Sequence, residues 1–405
     1  MSIDKMETDE PGFSRDEISF IQTHQYENAG QLMLKAGQFK GLDLKKLAAQ
    51  IVSRQKAVKK LPEWYSNEKL VFPPALSVEQ CSSEATARYK AKLISGGKLV
   101  DITGGMGVDS FYLSKSFEKV DYFEQQEVVA ETARYNFEQL GVSNIEVHAE
   151  DSLNALKNGR ITCDWIYADP ARRDVNRQKV VKLADCAPDI PSKLDTLFNC
   201  APNILLKTSP LLDIALACSE LQCVKDVYTI GYEQECKELL FVLARDFKGD
   251  YKINARILDQ DGSVRQSLDF DLETERNAAV SYSDPLAYLY EPHPAILKAG
   301  AFKTLCEKYG VNKLAANSQL YTSAHLVENF PGRSMKVVAI CKPDMREIAQ
   351  HIGGDKANLT VRNFPAKTDE LRKKWKLREG GDFYLFATTL ADQSKTVIVT
   401  IRAFN

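Results

Sequence analysis

At 405 residues the chain is too long for one ordinary hydrophobic core, so length alone favours two or three domains, each large enough to bury its own apolar interior. A hydrophobic fraction of 44% beside 27% charged residues excludes an extended disordered chain. No apolar run approaches the roughly 20 residues of a bilayer span, and the acidic, polar residues 1–11 are unlike a secretory leader, which predicts a cytoplasmic protein with no membrane partner.

In chain order, Ile18, Ile21, Leu32, Leu34, Leu42, Leu47 and Ile51 recur near the helical period and predict an all-helical piece that Pro62 and then Pro73-Pro74 break. A further helix starts near Ser82 or Ser83 as cap and passes through Ala85, Tyr89 and Leu93, closing an N-terminal helical domain over residues 1–95. Short apolar or β-branched runs then alternate with helical segments, with strands expected at 98–102, 120–123, 145–148, 165–168, 203–207, 224–230 and 239–244. That alternation predicts an α/β, Rossmann-like sheet covered on both faces over 96–247. The short link containing Gly231 makes the last two strands a hairpin, so six parallel strands are closed by an antiparallel one.

Residues 251–258 and 264–270 read as a second hairpin within a small α+β, ferredoxin-like domain over 248–330. A last α+β piece over 331–405 is expected to hold strands at 336–341, 359–361, 383–388 and 396–402, with helices at 345–351 and 369–375. The nine cysteines form no CxxC pair and no Cys/His cluster at zinc spacing, so they read as reduced and mostly buried, with no structural metal.

The strongest chemical signal is Leu99-Val100-Asp101-Ile102-Thr103-Gly104-Gly105-Met106-Gly107-Val108-Asp109, an apolar strand entering a glycine-rich turn and a helix start. Glu124 ends the second strand roughly 20 residues further on, where an acid binds ribose hydroxyls. The spacing of Asp101, Gly104, Gly105 and Gly107 differs from the dinucleotide pattern and favours S-adenosylmethionine (SAM), with Asp101 toward its methionine end and Asp151 toward its adenine. The fourth strand ends in Asp169-Pro170-Ala171-Arg172, which should line the acceptor pocket, with Asp169 in contact with substrate. Taken alone, each acid is an ordinary strand-end residue; their recurrence at successive strand ends is what points to one site.

These loops, with Gln80-Cys81-Ser82-Ser83-Glu84-Ala85-Thr86 and Gly380-Gly381-Asp382-Phe383-Tyr384-Leu385-Phe386-Ala387-Thr388-Thr389, resemble the bacterial class I methyltransferases that carry a THUMP-like C-terminal domain. The resemblance covers almost the whole chain and implies SAM as cofactor and, by analogy with RNA-binding THUMP domains, an RNA acceptor. Amino-group methyltransferases carry an Asp/Asn-Pro-Pro-aromatic loop; this sequence keeps Asp169 and Pro170 but has Ala171, and Arg172 in place of the aromatic can stack on a base. The loop also resembles the Asp-Pro-Pro-Arg of RNA 5-methyluridine enzymes, whose cysteine nucleophile would fall at Lys207-Thr208-Ser209-Pro210, where this chain has none. Direct in-line transfer to a base nitrogen, less favourably an oxygen, is therefore expected, with Asp169, Pro170 and Arg172 forming the acceptor loop.

Residues 331–405 carry 14 Lys/Arg against 8 Asp/Glu, and Arg372-Lys373-Lys374-Trp375-Lys376-Leu377-Arg378 suits phosphate contact and base stacking, or equally an amphipathic surface helix with Trp375 and Leu377 inward. Small-molecule or protein methylation is the second enzyme reading, and a degenerate RNA-binding scaffold the non-enzymatic one. His325 and His293, the latter in the rigid Glu291-Pro292-His293-Pro294, read as exposed loop histidines.

Overall fold

The computed structural model describes residues 11–157, 161–172 and 182–404. The chain divides into two units, Met1–Val224 with Leu240–Lys248 and Leu258–Ser263, and Lys225–Leu239 with Gly249–Ile257 and Val264–Asn405.

The first unit opens on helices Arg15–His24, Ala29–Leu34 and Leu44–Lys60, whose N-caps Ser14, Asn28 and Asp43 each accept a backbone N–H of the first turn. Their inward faces bury Phe20, Ile21, Leu32, Leu44, Leu47 and Ile51 in one cluster. Leu34, expected on that face, is 88% exposed, because two residues beyond Leu32 it lies on the opposite side of the helix. Pro62 does not merely stop a helix but starts the next, Pro62–Ser66, at the position where a missing N–H costs nothing. Helix Glu84–Leu93 is capped by Ser83, which leaves Ser82 free to turn inward.

Five parallel strands follow: β1 (Gly96–Asp101), β2 (Phe117–Phe123), β3 (Ile145–His148), β4 (Trp165–Ala168) and β5 (Asn203–Thr208). Their order is β5-β4-β1-β2-β3. The central positions Leu99, Val100, Val120, Ile166, Leu205 and Leu206 are fully buried, as in a sheet covered on both faces. Strand order reverses between β1 and β4, and the crevice at the carboxyl ends of such a pair is where open α/β sheets hold ligands.

Strands β6 (Val224–Tyr232) and β7 (Glu235–Ala244) are neighbours joined through Glu233 and Gln234. The turn is thus made by Glu233, at φ 56, while Gly231 lies inside β6. In the second unit β8 (Lys252–Leu258) lies beside β6, and β9 (Val264–Asp271) lies outside β8.

A separate seven-stranded sheet contains β10 (Tyr288–Pro292), β11 (Asn312–Lys313), β12 (Tyr321–Ser323), β13 (Gly332–Cys341), β14 (Asn358–Val361), β15 (Tyr384–Thr389) and β16 (Lys395–Arg402). The order is β11-β12-β10-β13-β16-β15-β14, with β14 and β15 parallel. Helices Met345–Ile352 and Thr368–Trp375 supply Ile348, Leu371 and Trp375 to a core shared with Leu385, Val397 and Val399. Trp375 and Leu377 therefore face inward, and Lys373, Lys374 and Lys376 outward. The amphipathic reading of that run holds, and its aromatic is not available to stack on a base.

Candidate active site

Strand β1 delivers Asp101 and then the glycine turn to the carboxyl edge of the sheet. The three glycines meet different demands. A Cβ at Gly104 would lie 2.4 Å from the Tyr122 ring, and one at Gly107, where φ is +83°, would lie 2.6 Å from the Phe137 ring. Both are imposed by packing. Gly105, at φ +61°, would bring a Cβ no nearer than 3.7 Å to Thr103 O, so it is required by backbone sign alone and faces open space.

Glu124, at the end of β2, accepts the Gly105 N–H at 3.0 Å through one carboxylate oxygen and the Gln126 N–H at 2.8 Å through the other, clamping the turn. Asp101 is 2% exposed and accepts from the Ser110 hydroxyl and from the Thr103 N–H at 2.9 Å. Burial pushes its carboxyl up to about 7 against the downward pull of those hydrogen bonds. Asp151 is partly exposed and accepts the Asn154 N–H at 3.1 Å, opening helix Ser152–Lys157, while the Ser152 hydroxyl donates to Ile102 O at 2.9 Å and ties that helix to the end of β1.

Asp169 follows β4. Its N–H donates to Thr103 Oγ1 at 2.7 Å, which joins the Asp169 loop to the glycine turn. Its carboxylate is 37% exposed and pairs at 2.5 Å with Lys207 Nζ, a side chain 9% exposed on β5. Pro170 is buried, and the backbone of Ala171 and Arg172 pairs with Ala187 and Cys186. The Arg172 side chain lies outside the described part of the structure, as do residues 173–181.

Behind Asp169 stands a charged cluster the sequence did not announce. Lys207 Nζ is also 3.7 Å from Asp109 Oδ2, and the fully buried Lys90 reaches Asp109 Oδ1 at 3.1 Å. The Tyr167 and Ser82 hydroxyls donate to Asp109 at 2.6 and 2.7 Å. Burial would push the Asp109 carboxyl up, but Lys90 and Lys207, with these hydroxyls, hold it below the usual carboxylate range. The available signal was Lys90, a charged residue at helical spacing on the same face as Thr86. At the end of β5 the Thr208 hydroxyl is buried with no hydrogen-bond partner among the described residues.

Cys81 lies within electrostatic reach of Lys207, Asp109 and Asp169, but burial pushes its thiol up to about 11, the wrong direction for a nucleophile. Cys163, pushed up to about 12 by burial, is equally inert. Among the described residues one group, Asp121, Glu146 and His148, brings three metal-ligand types together, yet Asp121 already pairs with Lys98 at 2.6 Å and Lys119 at 3.5 Å. An ion-pair network accounts for it. His325 is exposed as expected, whereas His293 is not: it is 4% exposed, accepts the Ala295 N–H at 3.1 Å on Nδ1 and lies 3.0 Å from Glu233 O through Nε2. The prolines on either side fix the turn that carries it inward, where Gly231 leaves room for the ring.

Residues 288–331 match a ferredoxin-like domain family, and residues 332–402 a THUMP domain-like family. No curated protein sequence matches the chain. The crystal structure of a candidate methyltransferase from Porphyromonas gingivalis W83 aligns with a TM-score of 0.81 and 31% identity over 96% of this chain and 99% of that one. An rRNA methylase from Streptococcus thermophilus covers 39% of this chain and 93% of its own at 15% identity and a TM-score of 0.29. A candidate methyltransferase from Streptococcus mutans in complex with SAH covers 40% and 96% at 13% identity and a TM-score of 0.29. On the full-length similarity to the P. gingivalis protein, this chain belongs to the family of methyltransferase-fold proteins that carry ferredoxin-like and THUMP-like domains at the C-terminal end.

Proposed function

We propose that the protein is a SAM-dependent methyltransferase acting on a nitrogen of an RNA base. The observation that carries the reading is the convergence of Asp101, Glu124, Asp151 and Asp169 at the carboxyl ends of, or just beyond, the adjacent parallel strands β1 to β4, around the point where strand order reverses. The residues present fit the cofactor: Gly105, at positive φ, leaves open space on the side where a Cβ would stand, Glu124 is held at the rim where ribose hydroxyls would bind, and Asp151 stands at the next strand end. Asp101 supports the methionine end by fixing Thr103 and Ser110, and Gly104 and Gly107 shape the turn.

When bound, SAM supplies an electrophilic methyl group on a sulfonium. The chain's part is positioning. Asp169 accepts a hydrogen bond from the acceptor amine on its exposed face and directs the nitrogen lone pair, while Lys207 pairs with the carboxylate on its other side and holds it in place. Pro170 and Arg172 form the rest of the acceptor loop. The THUMP-like match and the outward Lys373 and Lys374 support RNA as the acceptor.

Calorimetric titration with SAM and with S-adenosylhomocysteine tests the cofactor, expecting saturable binding that is lost in Glu124→Ala. Absence of binding to the parent would move the reading to a non-catalytic scaffold.

A further inference from the structure

The second unit contains a cavity of about 210 Å³ that shares no residue with the Asp101 to Lys207 site. Its wall carries Arg265, Arg333 and Arg362 with Glu291, Gln234 and Gln266. Glu291, on β10, is 4% exposed and is gripped from both sides: Arg333, on β13, donates to Oε2 through Nε at 2.8 Å and through Nη2, and Arg362 donates to Oε1 through Nε at 3.1 Å and Nη2 at 2.9 Å. One buried carboxylate thus fixes two guanidinium forks side by side.

Both forks use Nε and Nη2 on Glu291, and the Nη1 groups of Arg333 and Arg362 make no hydrogen bond among the described residues. Arg333 and Arg362 against the one carboxylate of Glu291 leave that group with an excess of positive charge, and Arg265 lies on the same wall. Pairing two cations with one acid is more than burying that acid requires, and a planar fork suits a phosphate oxygen pair. The backbone is cut to bring these groups together: a Cβ at Gly332 would lie 2.1 Å from Glu291 O, and one at Gly231 would lie 2.4 Å from the His293 ring. His293 adds a neutral ring, its pKa lowered by burial and by the nearby Arg265. The cavity exceeds many times the roughly 15 Å³ a single water needs on the same kind of measure, and a ribose phosphate is of that larger size.

We propose that this arginine pocket is a phosphate-binding site that takes a phosphodiester of the RNA substrate. The source of the phosphate rests on the RNA reading above; the phosphate chemistry does not.

The test uses the full-length protein, a short fluorescein-labelled oligoribonucleotide read by anisotropy across a salt series, and inorganic pyrophosphate read by calorimetry. The variants are Arg362→Gln and, because that change leaves Glu291 half-paired, Arg265→Gln, which leaves both guanidinium contacts to Glu291 in place; thermal melts confirm folding. The expected result is an affinity for RNA about tenfold weaker in each, a log–log salt slope shallower by ~0.7 for each phosphate no longer neutralised, and weaker pyrophosphate binding. RNA and pyrophosphate binding at parental affinity and slope in both variants would overturn the pocket and leave the RNA reading standing. Arginine-dependent pyrophosphate binding by a protein that binds no RNA would keep the phosphate site and overturn its RNA source. Binding of neither probe by the parent would overturn both.

Discussion

Replacing Lys90 by Met removes one charge from the cluster behind Asp169 and keeps the aliphatic length. Lys90 Nζ is fully buried and 3.1 Å from Asp109, itself 10% exposed, so the variant leaves a buried carboxylate with Lys207 at 3.7 Å and two hydroxyl donors. Breaking a buried pair by removing one partner costs about 3–5 kcal/mol, and the remaining partners place this case near about 3 kcal/mol. For a unit of this size that is a fall in Tm of about 6–12 °C.

Urea and thermal unfolding at pH 7 measure it, and Lys90→Met/Asp109→Leu should recover to within about 1 kcal/mol of the parent because no stranded charge remains. The pH dependence has a definite sign. In the parent, Asp109 is held below its ordinary range, so its contribution is present above the unfolded pKa and lost only as pH falls through the lower folded value. In Lys90→Met that depression is relieved, and the gap to the parent should narrow on acidification. A loss under about 1 kcal/mol, a pH-independent gap, or a double variant no better than the single would refute a charged, buried pair.

Asp101 has the opposite linkage: raised to about 7, its contribution is fully present below the ordinary aspartate range and lost as pH rises toward about 7. Asp101→Asn, which mimics the protonated acid, should compare better with the parent at pH 8 than at pH 5 in urea midpoints, and equal differences at both would rule this out. Gly107→Ala should lower Tm through the Phe137 contact, whereas Gly105→Ala, costing about 1–2 kcal/mol for its left-handed backbone, should chiefly weaken SAM binding. Asp169→Ala should abolish turnover and spare SAM affinity; turnover unchanged would remove Asp169 from the acceptor site. Charge reversal at Lys373 and Lys374 should weaken RNA binding in a salt-dependent way and leave Tm nearly unchanged, since both are exposed.

The sequence by itself determined the strands of residues 96–247 and which acids stand at their ends, but not the strands Tyr288–Pro292, Asn312–Lys313 and Tyr321–Ser323. Each strand expected in residues 96–247 is present, because alternating apolar runs bounded by glycine and proline leave few other solutions, and strand-end acids mark the carboxyl edge through chain connectivity alone. What only the tertiary structure decided are side chains whose partners are far along the chain. Lys90, Asp109 and Lys207 come from three different elements, and the Glu291 pairs with Arg333 and Arg362 join residues 42 and 71 positions apart. His293 is buried by the same kind of long-range contact, though its proline neighbours read as an exposed turn. Local pattern reports the period of burial, but the identity of a buried charge's partner is set by packing between elements, and no sequence window of helical or strand length contains both ends of it.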